Sequence, residues 1–430
     1  MSKLLVFCLD ALCACDVEAM RQMPHFGKYM ENAAVVKQIE PVWPALTYCC
    51  HTSIITGCYV DRHGIEHNEK MQRGGHWNLP WYGKKADVKV PTLLDSAREQ
   101  GMTTCSLAWP VSGGADYDMN MPMIVPYHYD GWNPEPWLEG MATQNLMDRY
   151  FYKHGRYIKG KNKSLDLLTM ALALDILEDY DQPDIMLVKL CDLDGCRHHY
   201  GVHHEMVTEQ LLRHDEEFGS ILEALRRKGT LEETNIVILG DHGQTDIRDV
   251  IHLNVLLREN GFIRLNEDGS LRDYDAVIHS AGLCAYVELA DPENSAMKAK
   301  VRAFLEGLKE DERLRLAYVL DREEAKARFH VDGNFDMILE STLPIAFGER
   351  FDCDTIYGTC IPGDHKVGAA THGGSPGRQE LTTFLAAGPN VKPGVVIDRR
   401  PMVDEAPTMA RMLGFSMPDT DGTAIEEMLR

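Results

Sequence analysis

The sequence predicts an α/β fold: a mostly parallel sheet flanked by helices, with a small α+β cap inserted late in the chain. Three observations carry that expectation. Short apolar runs alternate with longer amphipathic stretches, several runs end on a polar side chain, and the texture changes between about residues 255 and 360.

The first run, 4–9, holds six apolar residues before Asp10 interrupts it, too few for the apolar core of a signal peptide, so it reads as a buried strand. Runs at 35–39, 103–108, 185–190, 236–239 and 382–386 are similarly short and apolar. Between them, 92–100, 164–179, 206–228 and 404–413 carry helical patterns. Strands that alternate with helices pair mostly in parallel, with helices on both faces. Strand-like 285–289, a charged helix at 294–311 and strand-like 316–320 and 337–339 form the inserted unit. The expected division is therefore a catalytic core at 1–254 and 361–430 and a cap subdomain at 255–360.

Composition bounds the function. Among 430 residues, 44% are apolar and 26% charged, as in a globular protein with room for a buried site. The formal charge of −22 argues against a nucleic-acid duplex as partner, because that contact needs a basic footprint. No stretch of eighteen apolar residues occurs, so no membrane span is expected. Twelve cysteines without a secretory signal predict reduced thiols and a cytoplasmic location.

The chemistry gathers at strand ends. The run 4–9 leads into Asp10, 185–190 towards Asp194, and 236–239 through Gly240 into Asp241-His242-Gly243. In open α/β sheets ligands bind beyond the carboxyl ends of the strands, which makes these distant residues neighbours. Asp194 and His198, four apart in a glycine-containing loop, can share one divalent ion with His372 and leave an open coordination position. The adjacent His199, His203 and His204 read as a polar cluster on the surface. Thr47, in Pro44-Ala-Leu-Thr-Tyr-Cys-Cys-His51, stands where a strand passes into a helix; a threonine there is more often an N-cap than a nucleophile, and its hydroxyl can serve both as cap and beside an anion site.

These strings resemble a known family. Pro44-Ala-Leu-Thr-Tyr-Cys-Cys-His, then Thr-Gly-Cys-Tyr-Val-Asp-Arg-His-Gly-Ile-Glu-His-Asn68, then Asp194-Gly-Cys-Arg-His198, Gly240-Asp-His-Gly243 and Thr371-His372-Gly373 are similar, in that order, to the nucleotide pyrophosphatase/phosphodiesterase (type I phosphodiesterase) branch of the alkaline phosphatase superfamily. The resemblance implies two divalent metal ions, taken as zinc. One is held by Asp194, His198 and His372, the other by Asp10, Asp241 and His242 with Thr47. It further implies that Thr47 is the nucleophile, that Asn68 contacts a phosphate oxygen, and that the substrate is a small phosphate-containing molecule of nucleotide type. Two departures stand out: Tyr48-Cys49-Cys50 replaces the usual Phe-Pro-Asn, and Gly373-Gly374-Ser375 follows the last ligand in place of Gly-Tyr-Asp.

Tyr48 is then the expected ring for stacking on substrate, with Trp109, Trp132 and Trp137 as candidates for the pocket wall or the core. An Asn donor in place of an Arg fork favours a diester or pyrophosphate over a monoester. Lys84, Lys85 and Lys89 keep open a phosphonoacetate-hydrolase-like activity, since that reaction needs lysines for a substrate carboxylate. The same metal set would also serve a phosphomonoesterase, and a chain that kept the fold without turnover would be an inactive binding protein.

Overall fold

A computed structural model describes residues 2–75, 77, 79–124, 133–159, 163–179 and 182–430, so Trp132 lies outside the described residues. Two sheets organise the chain. Strands β1 (Lys3–Leu9), β2 (Ala34–Glu40), β3 (Thr104–Trp109), β4 (Met119–Pro122), β5 (Ile185–Leu190) and β6 (Thr234–Leu239) belong to the larger sheet. The smaller sheet follows, from β7 (Ala276–Ala281), β8 (Cys284–Leu289), β9 (Leu316–Asp321) and β10 (Met337–Ser341). The chain then returns to the larger sheet with β11 (Thr382–Ala387) and β12 (Val396–Pro401).

The larger sheet runs in the order β12-β2-β11-β6-β1-β5-β3-β4. Every neighbouring pair is parallel except the two made by β11, which lies antiparallel to β2 and β6. Hydrophobic patterning does not reveal β4 and β12. Both sit at the sheet's edges, and β12 (Val-Ile-Asp-Arg-Arg-Pro) is largely exposed, so neither shows the apolar run that burial imposes on a central strand.

Alternation along β1 builds two cores. Leu4, Val6 and Cys8 point to one face, Leu5, Phe7 and Leu9 to the other, and all six are fully buried. Helices α1 (Thr47–Thr56) and α2 (Leu93–Glu99) cover the first face, and α3 (Leu165–Asp179) covers the second. The chain continues through α4 (Asp192–Tyr200) into α5 (Glu205–Lys228), whose Phe218 packs 5.4 Å from the Phe7 ring. Helix α2 starts where Thr92 and Asp95 form a reciprocal capping box, and α5 stops at Gly229 in the left-handed conformation.

The smaller sheet has the order β7-β8-β10-β9, is wholly antiparallel, and packs with α6 (Ser295–Gly307) around its own core of Val287, Val301, Leu305 and Leu339, whereas α7 (Arg322–Phe329) places Ala325 in the core of the larger sheet's first face. Its β8 reaches the larger unit, where the Tyr286 hydroxyl donates to the Glu66 carbonyl at 2.6 Å. The last helix, α8 (Glu405–Met412), returns to the first face of the larger sheet. Among the described residues no helix is long and apolar enough to cross a membrane.

One buried imidazole makes stability depend on acid. His63 Nδ1 accepts from the Ile65 N–H at 3.1 Å, so Nε2 carries the proton and donates to Ser53 Oγ at 3.0 Å. Burial, with Lys89 nearby, pushes its pKa down to about 3. Folded His63 is thus neutral where the unfolded chain protonates near its ordinary value of about 6.5. Its contribution is complete above that value and is lost as pH falls towards 3. Denaturation midpoints should drop between about pH 6 and 4, and His63→Asn should flatten that slope; a slope unchanged by the substitution removes His63 as the cause.

Candidate metal centre

Three adjacent parallel strands, β6, β1 and β5, deliver the site's residues at their carboxyl ends. Asp10 directly follows β1, Asp241 and His242 follow β6 after Gly240, and α4 begins two residues beyond β5. Gly240 has no room for a side chain, because a Cβ would overlap the Leu12 carbonyl and Thr382 Oγ1. Asp194 and His198 lie on α4, not in a loop as the sequence suggested. Their spacing of four puts them one turn apart on one face, with His198 Nε2 3.3 Å from Asp194 Oδ1. The glycine that gave the loop impression, Gly195, sits exposed on the helix.

His372 arrives from the loop after Ala370–Thr371, with Nε2 3.9 Å from Asp194 Oδ1. Gly373, at a φ of 98°, lets the chain turn where a Cβ would overlap the Ala281 carbonyl of β7. Thr47 is the first residue of α1. Leu46 holds the cap position and Thr47 makes no capping bond, so its Oγ1 is free to lie 3.2 Å from His242 Nε2. Asn68 Oδ1 accepts from the Tyr48 N–H at 2.9 Å, which leaves the Nδ2 donor for the cleft that Asn68 lines.

The imidazoles are oriented alike. His198 Nδ1–H donates to the Ala370 carbonyl at 2.8 Å, His372 Nδ1–H to the Ala45 carbonyl at 2.8 Å, and His242 Nδ1 faces the Gly243 carbonyl at 3.3 Å. Each backbone partner holds the Nδ1 proton and turns a lone pair on Nε2 inward. Ligand atoms of Asp10, Asp241 and His242 lie within 4.8 Å of one another, as do those of Asp194, His242 and His372. His242 and His372 stack with ring centres 3.7 Å apart, so the two halves are contiguous.

These residues fit divalent cations. Asp10 Oδ1, Asp241 Oδ2 and His198 Nε2 are buried without a hydrogen-bond partner, a costly arrangement for a site that binds nothing. Burial and then the charge of Asp241 push Asp10 well above the ordinary carboxylate range. At Asp194 burial acts the same way, but His198, His372 and His242 outweigh it and hold the carboxyl well below its usual range. Burial and the neighbouring His242 keep His372 neutral, as a nitrogen ligand must be.

Supporting side chains surround these residues. Gln244 Nε2 donates to Asp194 Oδ1 at 2.6 Å, and His51, wholly buried, donates from Nδ1 to the Thr47 carbonyl while lying 3.2 Å from Asp241 Oδ2. Lys189, next to last in β5, reaches Asp10 Oδ2 at 2.5 Å. Arg197, fully buried between the two α4 residues of the site and the turn after β1, donates to both Asp16 oxygens at 2.6 and 2.7 Å and to the Ala11 carbonyl at 2.9 Å. An interrupting charge inside an apolar strand was the available signal for Lys189. Arg197→Met should cost about 3–5 kcal/mol in chemical denaturation, because it strands the Asp16 carboxylate, and adding Asp16→Asn should recover part of it; a loss below about 1 kcal/mol would mean the pair does not brace this turn.

The cleft above the cage has a volume of about 640 Å³ and is lined by Thr47, Asn68, Trp81, Met123, Asp192 and His365, among others. Its aromatic wall is Trp81. The Tyr48 ring, expected to stack on substrate, is buried among Ile65, Val88 and Val111 and covered edge-on by Trp81 at 5.3 Å, because the first turn of α1 directs it into that apolar cluster. Trp109 is fully buried, with its Nε1–H donating to the His51 carbonyl, and Trp137 packs against the core on the α3 side. None of Lys84, Lys85 and Lys89 is among the described lining residues: Lys85 pairs with Asp95, and Lys89 lines a separate cavity with Asp61 and Arg322. His199, His203 and His204 are exposed.

An eight-stranded mixed sheet with a carboxylate–imidazole cage at the carboxyl ends of its central strands defines the class: a phosphodiesterase-like α/β fold. The solved structure of murine ectonucleotide pyrophosphatase/phosphodiesterase 5 superposes with a TM-score of 0.69 at 17% identity, covering 100% of both chains. An inactive form of the murine protein in complex with AMP gives 0.67 at 16% identity, again over 100% of both. The family model described as type I phosphodiesterase/nucleotide pyrophosphatase matches residues 4–354, and the chain belongs to that family.

Curated relatives agree. The bis(5'-adenosyl)-triphosphatase ENPP4 of Pongo abelii is 23% identical over 267 residues, 59% of this chain and 51% of its own. Human ectonucleotide pyrophosphatase/phosphodiesterase family member 1 is 24% identical over 247 residues, 55% of this chain and 23% of its own. The chain therefore spans about half or less of the length of these relatives.

Proposed function

We propose that the chain is a metal-dependent hydrolase that cleaves a phosphodiester or pyrophosphate bond of a nucleotide-type substrate, using Thr47 as nucleophile. The observation that carries this reading is a threonine hydroxyl that caps no helix and lies 3.2 Å from His242 Nε2, at the rim of a buried cage in which Asp10 Oδ1, Asp241 Oδ2 and His198 Nε2 lack partners. Two divalent ions, for which zinc suits the mixed imidazole and carboxylate donors, supply when bound the positive charge that makes the hydroxyl a nucleophile at neutral pH and offsets the charge of the phosphate. Asp194, His198 and His372 would hold one, and Asp10, Asp241 and His242 the other.

Thr47 Oγ1 attacks phosphorus in line with the departing oxygen, gives up its proton to solvent, and becomes a phosphothreonine. The leaving group departs on the far side, into the cleft walled by Trp81 and His365. Water then cleaves the phosphothreonine and restores the hydroxyl. Asn68 Nδ2 donates to a nonbridging oxygen, where charge grows as the bond breaks. The described lining contains no Lys or Arg, which supports a diester or anhydride phosphorus with one negative charge over a monoester dianion. The unit at 255–360 acts as a cap over the core formed by 1–254 and 361–430, and the twelve unpaired cysteines support a reducing, cytoplasmic setting.

The test is a side-by-side kinetic panel with zinc: a nitrophenyl diester, a nitrophenyl monoester, a dinucleotide and phosphonoacetate. The diester and dinucleotide should exceed the other two in kcat/KM. Faster monoester or phosphonoacetate turnover overturns the substrate reading, and no turnover of any of the four overturns the hydrolase reading.

A further inference from the structure

Lys189 stands fully buried one residue before the end of β5, with apolar Val188 and Leu190 on either side. Its ammonium lies 2.5 Å from Asp10 Oδ2, and its other contacts among the described residues are to sulfur: Cys191 Sγ at 3.0 Å and Met123 Sδ at 3.5 Å. A buried lysine is costly unless its charge is used. Here its single oxygen partner among the described residues is a carboxylate of the proposed cage, while the other oxygen of that carboxylate, Oδ1, faces His242 Nε2 at 3.4 Å without a hydrogen bond.

We infer that Lys189 is a positioning residue for the Asp10–Asp241–His242 half of the cage, restricting Asp10 to one ligating oxygen and cancelling one of the two carboxylate charges of that half. The inference rests on the metal-binding reading given above. Asp10 and Asp241 alone would neutralise a divalent cation completely. With the Lys189 ammonium at Asp10 Oδ2, a cation held there keeps one net positive charge towards Thr47 and the phosphate. The other half, Asp194 with His198 and His372, has a single carboxylate and reaches the same balance without a lysine. Lys189 therefore lowers metal affinity and raises residual charge at the half beside the nucleophile.

The test is zinc affinity, measured by competition with a chromogenic chelator on the intact chain. Lys189→Met should tighten one of two zinc equivalents by about tenfold or more and leave the other within about threefold. A residue that merely supported the fold would weaken binding or leave it alone, so unchanged or weakened affinity at both sites overturns the inference. Should Lys189→Met fail to fold, Asp10→Asn decides the matter against the double variant Asp10→Asn/Lys189→Met. Removing both charges restores the wild-type balance, so the double variant should bind zinc at that site about tenfold more tightly than Asp10→Asn alone, and equal affinities overturn the inference. A wild-type chain that takes up no zinc overturns the cage assignment and this inference with it, whereas two equivalents with no effect of Lys189 overturn the inference alone.

Discussion

Thr47→Ala is expected to abolish hydrolysis of a nitrophenyl phosphodiester, by about 10³-fold or more in kcat, while metal content and fold stay intact. The geometry separates these effects. Thr47 Oγ1 has one polar contact among the described residues, to His242 Nε2, and caps no helix, so truncation leaves no buried donor or acceptor of α1 stranded. His242 keeps the Gly243 carbonyl, Asp241 the Ala11 N–H and Asp10 the Lys189 ammonium. Melting temperature and zinc stoichiometry should therefore match the parent chain, and turnover within tenfold of the parent would remove Thr47 from the mechanism.

Asp241→Asn and His242→Ala should lose zinc and activity together, the second of the two largest effects. Asp241 stands at the centre of its half. Oδ1 accepts from the Ala11 N–H at 3.0 Å, which binds the turn after β6 to the turn after β1, and Oδ2 is left facing His242 Nε2 at 3.2 Å. An asparagine can keep the first bond through its oxygen but brings a neutral amide where the cation needs charge. Against burial, His242, His51 and Lys189 hold the Asp241 carboxyl below its usual range, so the metal-free Asp241→Asn variant should be somewhat less stable than the metal-free parent. The difference appears on adding zinc. The parent should gain about 2.7 kcal/mol at a hundredfold excess over its dissociation constant, and the variants much less. Equal stabilisation of parent and variants by zinc would show that the ion binds elsewhere.

Part of this site is legible because strand ends are legible. Asp10 and Asp241-His242 each follow an apolar run whose burial permits no charge, so a carboxylate at the end of the run marks where the strand leaves the core. The α4 residues illustrate the limit. The spacing of Asp194 and His198 marks them as a pair, but Gly195 between them reads as a loop, whereas packing of α4 against α5 carries it as an exposed helical glycine. Tyr48 shows the same limit from another side: its type suits stacking, yet the direction of its side chain is set by helix geometry and by the apolar cluster behind it.

The sequence by itself determined the α/β class, the placing of acids and imidazoles at the ends of buried strands, and the resemblance that the family match now establishes. Hydrophobic periodicity is local, and a strand's burial is written in its own residues. Only the tertiary structure decided which faces meet: that Trp81 and not Tyr48 walls the cleft, that Arg197 ties α4 to the turn after β1, and that Lys189 ends beside Asp10. The physical reason is that ligand direction, imidazole tautomer and buried charge pairing depend on groups brought together from distant parts of the chain. His372 takes its orientation from Ala45, and Lys189 sets its charge against Asp10; no window of sequence contains both partners of either pair.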